Sequence, residues 1–489
     1  MTGLRRLEVI RELSKKNKGW IHTHLFRLLN KQDIWNLAYR NLNNNKKLTF
    51  SVDKDISKQL YQLQQDVISE RYNFSSVQKT TLLNKHRQQI FPILNDNIVQ
   101  EVIRIILEAV YSPILYQHSY AFETNRYPHD ALKYIESSFV STKWVIQGNI
   151  ENFYSSINHC SLCIIISKRI ADPRMIRLIQ KCLRQGFLNE IILSPRNINI
   201  SLNTIIGPIL ANIYYNELDL NINEYKEKLP EVFNNFYIRN WKNIISEDSS
   251  LDQDVIKYNL YYVRYKDNWM IGINGKKDIA VYLKLNILKF ISDNLKYKFN
   301  PNKIQIKNLY RGSLQFLGYE IFILNSLTAN NKNKRVSKSN IRFELPIHNF
   351  SRCLLKMGLI CKTHKGIRPI SNTNLISQKD ELIGLYYSQL YLNIQNYYSG
   401  ITSIKQLRYI HYLLKYSYAM TLAHKHRKSI SQIFAIYGKT LKINRINSYN
   451  TLEFPQYYVA IEKKGQWQVS TLFNDPIVLH IILFLDQDQ

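Results

Sequence analysis

The chain has 489 residues, with 66 Lys+Arg against 37 Asp+Glu for a formal net charge of +29. That length supports several domains with sizeable cores, and a positive excess far above the few charges solubility needs, spread along the chain, points to a polyanionic partner. Five cysteines exclude a disulfide framework, and the absence of any run of roughly 18 apolar residues excludes a spanning helix, so no membrane partner is expected.

The N-terminus has no secretory hydrophobic region, and Glu8 and Glu12 do not fit a transit peptide. Glycine is rare, whereas Ile, Asn, Lys and Tyr, the residues of AT-rich codons, are abundant. This suggests an organellar genome. The first 85 residues read as helices with short turns: Gly19–Leu29 leads into Asp33–Leu42, and Ile56–Glu70 carries Ile56, Leu60, Leu63 and Val67 at helical spacing. Ile98–Val110 is an amphipathic helix with Ile98, Val102, Ile105 and Ala109 on one stripe. From about residue 140 the period changes. A strand, Trp144–Ile150, precedes helices around His159–Arg169 and Met175–Arg184. Cys160 and Cys163 follow His159, but no second ligand pair exists, so they read as ordinary helix residues.

Pro208–Leu218 is helical, and Asn221–Ile256, with Glu247, Asp248, Asp252 and Asp254, reads as an irregular surface insertion. Tyr262–Asn274 is a hairpin: two β-rich runs flank the polar tip Tyr265-Lys266-Asp267-Asn268. A helix at Asp278–Leu295 and strands near Ile304–Asn308 and Leu314–Leu324 close an α+β unit. Ser326–Asn340 is a linker by composition. Beyond it the chain reads as mostly helical to Gly438, a C-terminal helix stop. Within that region Ile404–Ala423 places Leu407, Ile410, Leu414, Tyr418 and Leu422 in one stripe, and Arg408, His411 and Lys415 on a shared face. The short apolar run Pro476–Leu485 reads as a buried strand or helix.

Several segments, in order, resemble the group II intron-encoded maturase/reverse transcriptase family. They are Leu25-Phe26-Arg27-Leu28-Leu29 and Trp35-Asn36-Leu37-Ala38-Tyr39, Asp96–Glu101, Ser119-Tyr120-Ala121-Phe122, His129-Asp130-Ala131-Leu132, Gly207–Asp219, Gln315–Ile321 and Asn396–Gly438. The resemblance implies an α+β, right-hand-like fingers/palm reverse transcriptase fold followed by a helical thumb and maturase domain, also called domain X. It divides the chain into an N-terminal extension (1–85), fingers and palm (86–325, with the insertion at about 221–256), a linker (326–340), the thumb/maturase domain (341–445) and a tail (446–489).

The departures from the family pattern carry the functional expectation. A polymerase of this kind uses metal ions held by carboxylates to activate the primer hydroxyl. Those positions fall here on Asn149, Asp267 and Asn268, so one carboxylate remains; an amide carbonyl can touch Mg²⁺ but adds no charge to hold it. The family's glycine-rich approach becomes Ser201-Leu202-Asn203-Thr204, and Glu123 replaces an arginine. Lys303 occupies the position of a late palm lysine. After Gly438 only His480 and no cysteine remain, so a His/Cys nuclease module is not expected.

What the resemblance leaves is binding: a degenerate polymerase serving as a splicing maturase that clamps group II intron RNA. The protein itself would need no cofactor, and Mg²⁺ would come with the RNA. Two basic surfaces are candidates. One is Arg408, His411 and Lys415, the tract His424-Lys425-His426-Arg427-Lys428, and Lys439, interleaved by Tyr397, Tyr398, Tyr416 and Tyr437. The other is Arg5, Arg6, Lys15, Lys16, Lys18 and Arg27 with Trp20 and Phe26. The alternatives are an active RNA-directed DNA polymerase using Asp267, and a scaffold recruited into an organellar ribonucleoprotein such as the ribosome. A mitochondrial location is expected, with a plastid as the alternative.

Overall fold

The computed structural model describes residues 2–43, 54–74, 90–121, 126–150, 154, 156–184, 205–241, 259–296, 303–323, 341–364, 366–444 and 451–456. The expected linker, the cluster Glu247–Asp254, Ser201–Thr204, Glu123 and the run at 476–485 lie outside the described residues.

The elements in chain order are α1 (Gly3–Lys16), α2 (Gln32–Asn43), α3 (Lys54–Ile68), α4 (Ile90–Tyr111), α5 (Pro128–Ser138), β1 (Trp144–Asn149), α6 (His159–Ser167), α7 (Pro173–Arg184), α8 (Gly207–Trp241), β2 (Asn259–Tyr265), β3 (Asn268–Asn274), α9 (Lys277–Asp293), β4 (Gln305–Asn308), β5 (Leu314–Phe316), β6 (Tyr319–Ile323), β7 (Ile341–Glu344), α10 (Ile347–Lys356), β8 (Ile360–Thr363), β9 (Gly366–Pro369), α11 (Asp380–Tyr397), α12 (Ile404–His426), α13 (Ile430–Tyr437), β10 (Ile443–Asn444) and β11 (Thr451–Leu452). They pack as two compact units, Met1–Arg126 with Trp144–Ile306, and Tyr127–Lys143 with Lys307–Gln489.

In the first unit α4 runs through the core. Val99, Val102, Ile103, Ile106, Leu107 and Ala109 are all essentially inaccessible, which widens the expected stripe to most of the helix surface. The sheet has the order β2-β3-β1-β4. Val145, Ile146, Met270 and Ile271 are fully buried in its two central strands, which therefore read as near-continuous apolar runs. Gly148 faces Trp269 across β1 and β3, and a Cβ there would lie 2.2 Å from the indole, so only glycine fits.

Three expectations are corrected. Gly19–Leu29 is not one helix. The chain is helical at α1, stays extended past Trp20, turns through a left-handed His24 (φ 56°), and re-enters as a 3₁₀ segment at Leu25–Asn30. The irregular stretch expected from Asn221 is instead helical as far as Trp241. Its exposed face carries Glu224 and Lys228, an i,i+4 pair at 3.3 Å, so the apolar stripe that signals a helix narrows to Ile222. Residues 341–369 are not mainly helical. β7 alternates buried and exposed positions and pairs with β6, and β8 and β9 form a separate hairpin.

In the second unit β5, β6 and β7 form an antiparallel sheet. The turn Leu317-Gly318 joins β5 to β6 with both residues at positive φ (49° and 70°), as a two-residue hairpin requires. Along α12 the expected stripe Leu407, Ile410, Leu414, Tyr418 and Leu422 is buried. Tyr387 on α11 hydrogen-bonds Ser417 and Thr421 of α12, both at 3.0 Å. Gly438 ends α13 with φ 72°, as expected. Among the described residues no helix is long and apolar enough to cross a membrane.

Candidate nucleic-acid interface

The expected hairpin is present, with Lys266-Asp267 as its two-residue turn and Lys266 in the left-handed region (φ 54°). Antiparallel pairing sets Tyr265 opposite Asn268 on one side of β3 and Asn149 opposite Asn268 on the other. The Ile150 N–H donates to the Asp267 carbonyl at 3.0 Å, which holds the end of β1 against the turn. Asn149, 119 positions from Asn268, thus meets the adjacent Asp267 and Asn268 at one point. The Asn149 Nδ2 donates to the Asn268 Oδ1 at 3.1 Å.

This donor set does not fit a divalent-metal site of the polymerase kind. Asp267 supplies the only carboxylate of the three positions, and the Asn268 carbonyl oxygen already accepts from Asn149. Hard cations are held by the charge of several carboxylates. Among the described residues no group of three or more His, Cys, Asp or Glu is placed to hold a metal ion. Lys303 sits half-buried ahead of β4, the edge strand on the far side of β1 from the hairpin.

A buried ion pair supports the turn. The Arg264 guanidinium donates to both carboxylate oxygens of Asp219 on α8, at 2.7 and 2.6 Å, and both side chains are fully buried. The Tyr262 hydroxyl adds a third bond to Asp219 at 2.6 Å, and Arg264 Nη1 reaches the Lys266 carbonyl at 3.2 Å. The backbone of Arg264 pairs with His118 and Tyr120. Sequence reasoning did not single this pair out. Its signal was Arg264 sharing strand parity with Leu260 and Tyr262, a charge on an apolar face that must find a buried partner.

The basic candidates of the second unit differ in exposure and in the partners that hold them. His411 is half-buried; its Nε2 lies 3.0 Å from the Pro455 carbonyl and its ring packs on Tyr391 and Phe454. Burial outweighs that hydrogen bond and holds the imidazole below its usual range, so it is neutral at pH 7 and offers RNA no charge. Within the tract, Lys425 and His426 both turn onto Asp380, at 2.6 and 2.8 Å. Burial pushes the Asp380 carboxyl up, but hydrogen bonds from Lys425, Tyr437 and His426 win and hold it below the usual range. His424 lies 3.2 Å from the Ser371 hydroxyl. Arg427, Lys428, Arg408 and Lys439 are exposed and Lys415 is half-buried. Tyr397 and Tyr398 are core residues, donating to the Leu317 and Gly318 carbonyls at 2.6 and 3.0 Å. Tyr437 is tied to Asp380, and burial followed by that bond pushes its phenol up to about 12.

In the first unit Arg5, Lys15, Lys16, Lys18 and Arg27 are exposed and Arg6 is half-buried. Lys15 and Lys16 occupy the last turn of α1, where cations complement the helix dipole. Trp20 is exposed, but Phe26 is buried beneath the Arg174 guanidinium at 4.0 Å and cannot stack on a base.

Two family models match the chain. A family model described as a reverse transcriptase (RNA-dependent DNA polymerase) matches residues 77–321, and one described as a type II intron maturase matches residues 338–468. Over 477 aligned residues the chain is 28% identical to the group II intron-encoded protein LtrA of Lactococcus lactis subsp. cremoris, covering 88% of this chain and 79% of LtrA. It is 26% identical over 526 residues to a 91 kDa protein in the cob intron of Schizosaccharomyces pombe, covering 97% and 64% of the two chains. A match to the mitochondrial protein ymf11 of Marchantia polymorpha is 28% identical over 230 residues and covers 42% of this chain and 30% of the relative.

Proposed function

Since the chain belongs to the group II intron-encoded reverse transcriptase/maturase family, we propose that it acts as an RNA-binding splicing maturase whose polymerase chemistry has been lost. The observation that carries the second half is the Asn149–Asn268 amide pair, which replaces charge with a neutral hydrogen bond at the point where the family's metal ions would sit. The first half is supported by the maturase match over 338–468 and by the exposed cations Arg408, Arg427, Lys428 and Lys439. In this reading the RNA performs the transesterifications and holds the Mg²⁺ they need, and the protein neutralises crowded phosphates. A mitochondrial site of action belongs to the same proposal, supported by the Marchantia relative and by the Ile-, Asn-, Lys- and Tyr-rich composition.

The test is crosslinking of the protein in its native compartment and sequencing of the attached RNA. Reads concentrated on group II intron domains are expected. Reads concentrated on ribosomal RNA would replace splicing with a structural role in the ribosome.

Because Lys425 and His426 are engaged by Asp380, the tract acts through Arg427 and Lys428. The double substitution Arg427→Glu with Lys428→Glu is expected to weaken RNA binding at all sequences. It should flatten the log–log salt dependence by roughly 0.7–0.9 for each phosphate that is no longer neutralised. A salt titration with an unchanged slope would remove the tract from the binding surface.

A further inference from the structure

Five tyrosines of the second unit, Tyr387, Tyr391, Tyr397, Tyr398 and Tyr418, are each no more than 2% accessible. Tyr412 on α12 is 45% exposed. Its ring is backed by Tyr416 one turn on, with centroids 4.7 Å apart, and Tyr416 in turn meets Phe434 of α13 at 5.8 Å. The exposed ring is therefore held by a row of aromatics rather than left to swing. Lys415 sets its ammonium 5.8 Å above the Phe434 ring.

Along α12 and α13 the chain's own charges are of one sign. From Ile404 to Lys442 the sequence contains no Asp or Glu. Lys415 and Lys439 have no ion-pair partner among the described residues, yet they are close enough for the second to depress the first, after burial, below the usual lysine range. Two neighbouring cations without a counter-charge are relieved by an anion. Arg408 and Lys405 continue the stripe one and two turns earlier, at the helical spacing of Tyr412.

We propose that Tyr412, backed by Tyr416, is a stacking platform for one unpaired RNA base, with Lys415 and Lys439 holding the adjoining phosphate. This rests on the RNA-binding reading above and names the class of RNA that this face takes. A duplex hides its base faces and gives Tyr412 nothing to stack on, whereas a loop or bulge offers both a π-face and a flexible phosphate.

The test uses the full-length protein with two probes, a single-stranded 12-nucleotide oligoadenylate RNA and a 12-base-pair RNA duplex. Tyr412→Ala is expected to weaken oligoadenylate binding about tenfold and to leave duplex binding unchanged. Tyr412→Phe, which keeps the ring, is expected to bind as the wild type does. Lys415→Gln with Lys439→Gln should lower the salt slope for oligoadenylate by roughly 0.7, one phosphate at the single-strand value. Equal oligoadenylate affinity for Tyr412→Ala and wild type would overturn the proposal, as would a Tyr412→Phe variant as weak as the alanine one. Binding to vesicles with 30% phosphatidylserine that depends on Tyr412, in the absence of oligoadenylate binding, would also overturn it in favour of a membrane surface. A wild-type protein that crosslinks to intron RNA while Tyr412→Ala changes nothing sinks this inference alone; a wild type that retains no intron RNA sinks the maturase reading itself.

Discussion

Asp219→Asn is expected to cost about 3–5 kcal/mol of stability in the first unit. The substitution leaves Arg264 fully buried with its guanidinium charge uncompensated; Oδ1 can still accept from Tyr262 and Arg264 Nε, but the oxygen that accepts from Arg264 Nη2 becomes an amide donor set against another donor. Loss of one partner of a buried pair costs far more than the pair's net worth, because the remaining charge has no water to turn to. The damage should be local first. Arg264 is anchored by backbone bonds to His118 and Tyr120, so hydrogen exchange in β2, β3 and the 118–120 segment should accelerate before that of α12. Replacing the pair together, Asp219→Leu with Arg264→Met, should recover most of the loss, since burial without charge carries no unpaired ion. Denaturation of the two variants separates the cases. If Asp219→Asn unfolds at the wild-type midpoint, the ion pair does not hold the turn.

The paired substitution Asn149→Asp with Asn268→Asp is expected to make the fold depend on divalent metal. In the wild type the Asn149–Asn268 bond closes the end of β1 on β3 with no ion, so its thermal midpoint should not respond to millimolar Mg²⁺. In the variant three carboxylates, with Asp267, converge on a partly buried corner. Like charges at that separation disfavour one another, and the amide hydrogen bond is gone, for a loss of about 1–3 kcal/mol in a chelator. Mg²⁺ at tenfold its dissociation constant should return about 1.4 kcal/mol, seen as a rise of a few degrees in the midpoint. A variant whose midpoint ignores Mg²⁺ would mean that the corner cannot gather ligands even with the charges restored. Primer extension by the wild type, abolished by Asp267→Ala, would show instead that one carboxylate suffices and that the polymerase reading must be revived.

The polymerase corner was legible in the sequence because strands announce themselves locally. Tyr262–Asn274 has a β-rich run, a polar tip and a second β-rich run, and its register follows from a two-residue turn. Once Trp144–Ile150 is also read as a strand, the family resemblance suffices to bring Asn149 to the turn. The basic surfaces were less legible. Composition identified the cations, but which of them face solvent depends on partners distant in the chain. Asp380 lies 45 and 46 positions from Lys425 and His426 and takes both. His411 is claimed by Pro455 and by the Tyr391 and Phe454 rings. Phe26, quoted as a stacking candidate, is covered by Arg174.

The sequence by itself determined the polyanion partner class, through a charge that no fold can cancel, and the family, through motifs in fixed order. It determined that Asn149 and Asn268 are amides rather than carboxylates, since residue identity needs no coordinates. Tertiary structure alone decided that these two amides bond to each other, that Arg264 and Asp219 form the buried strut behind them, and that Tyr412 rather than Tyr397 or Tyr398 presents its ring to solvent. The physical reason is the same in each case. Burial and pairing are properties of what packs against a side chain, and for the amide pair, the ion pair and the buried tyrosines the partner lies 45 to 119 positions away, beyond the reach of any local period.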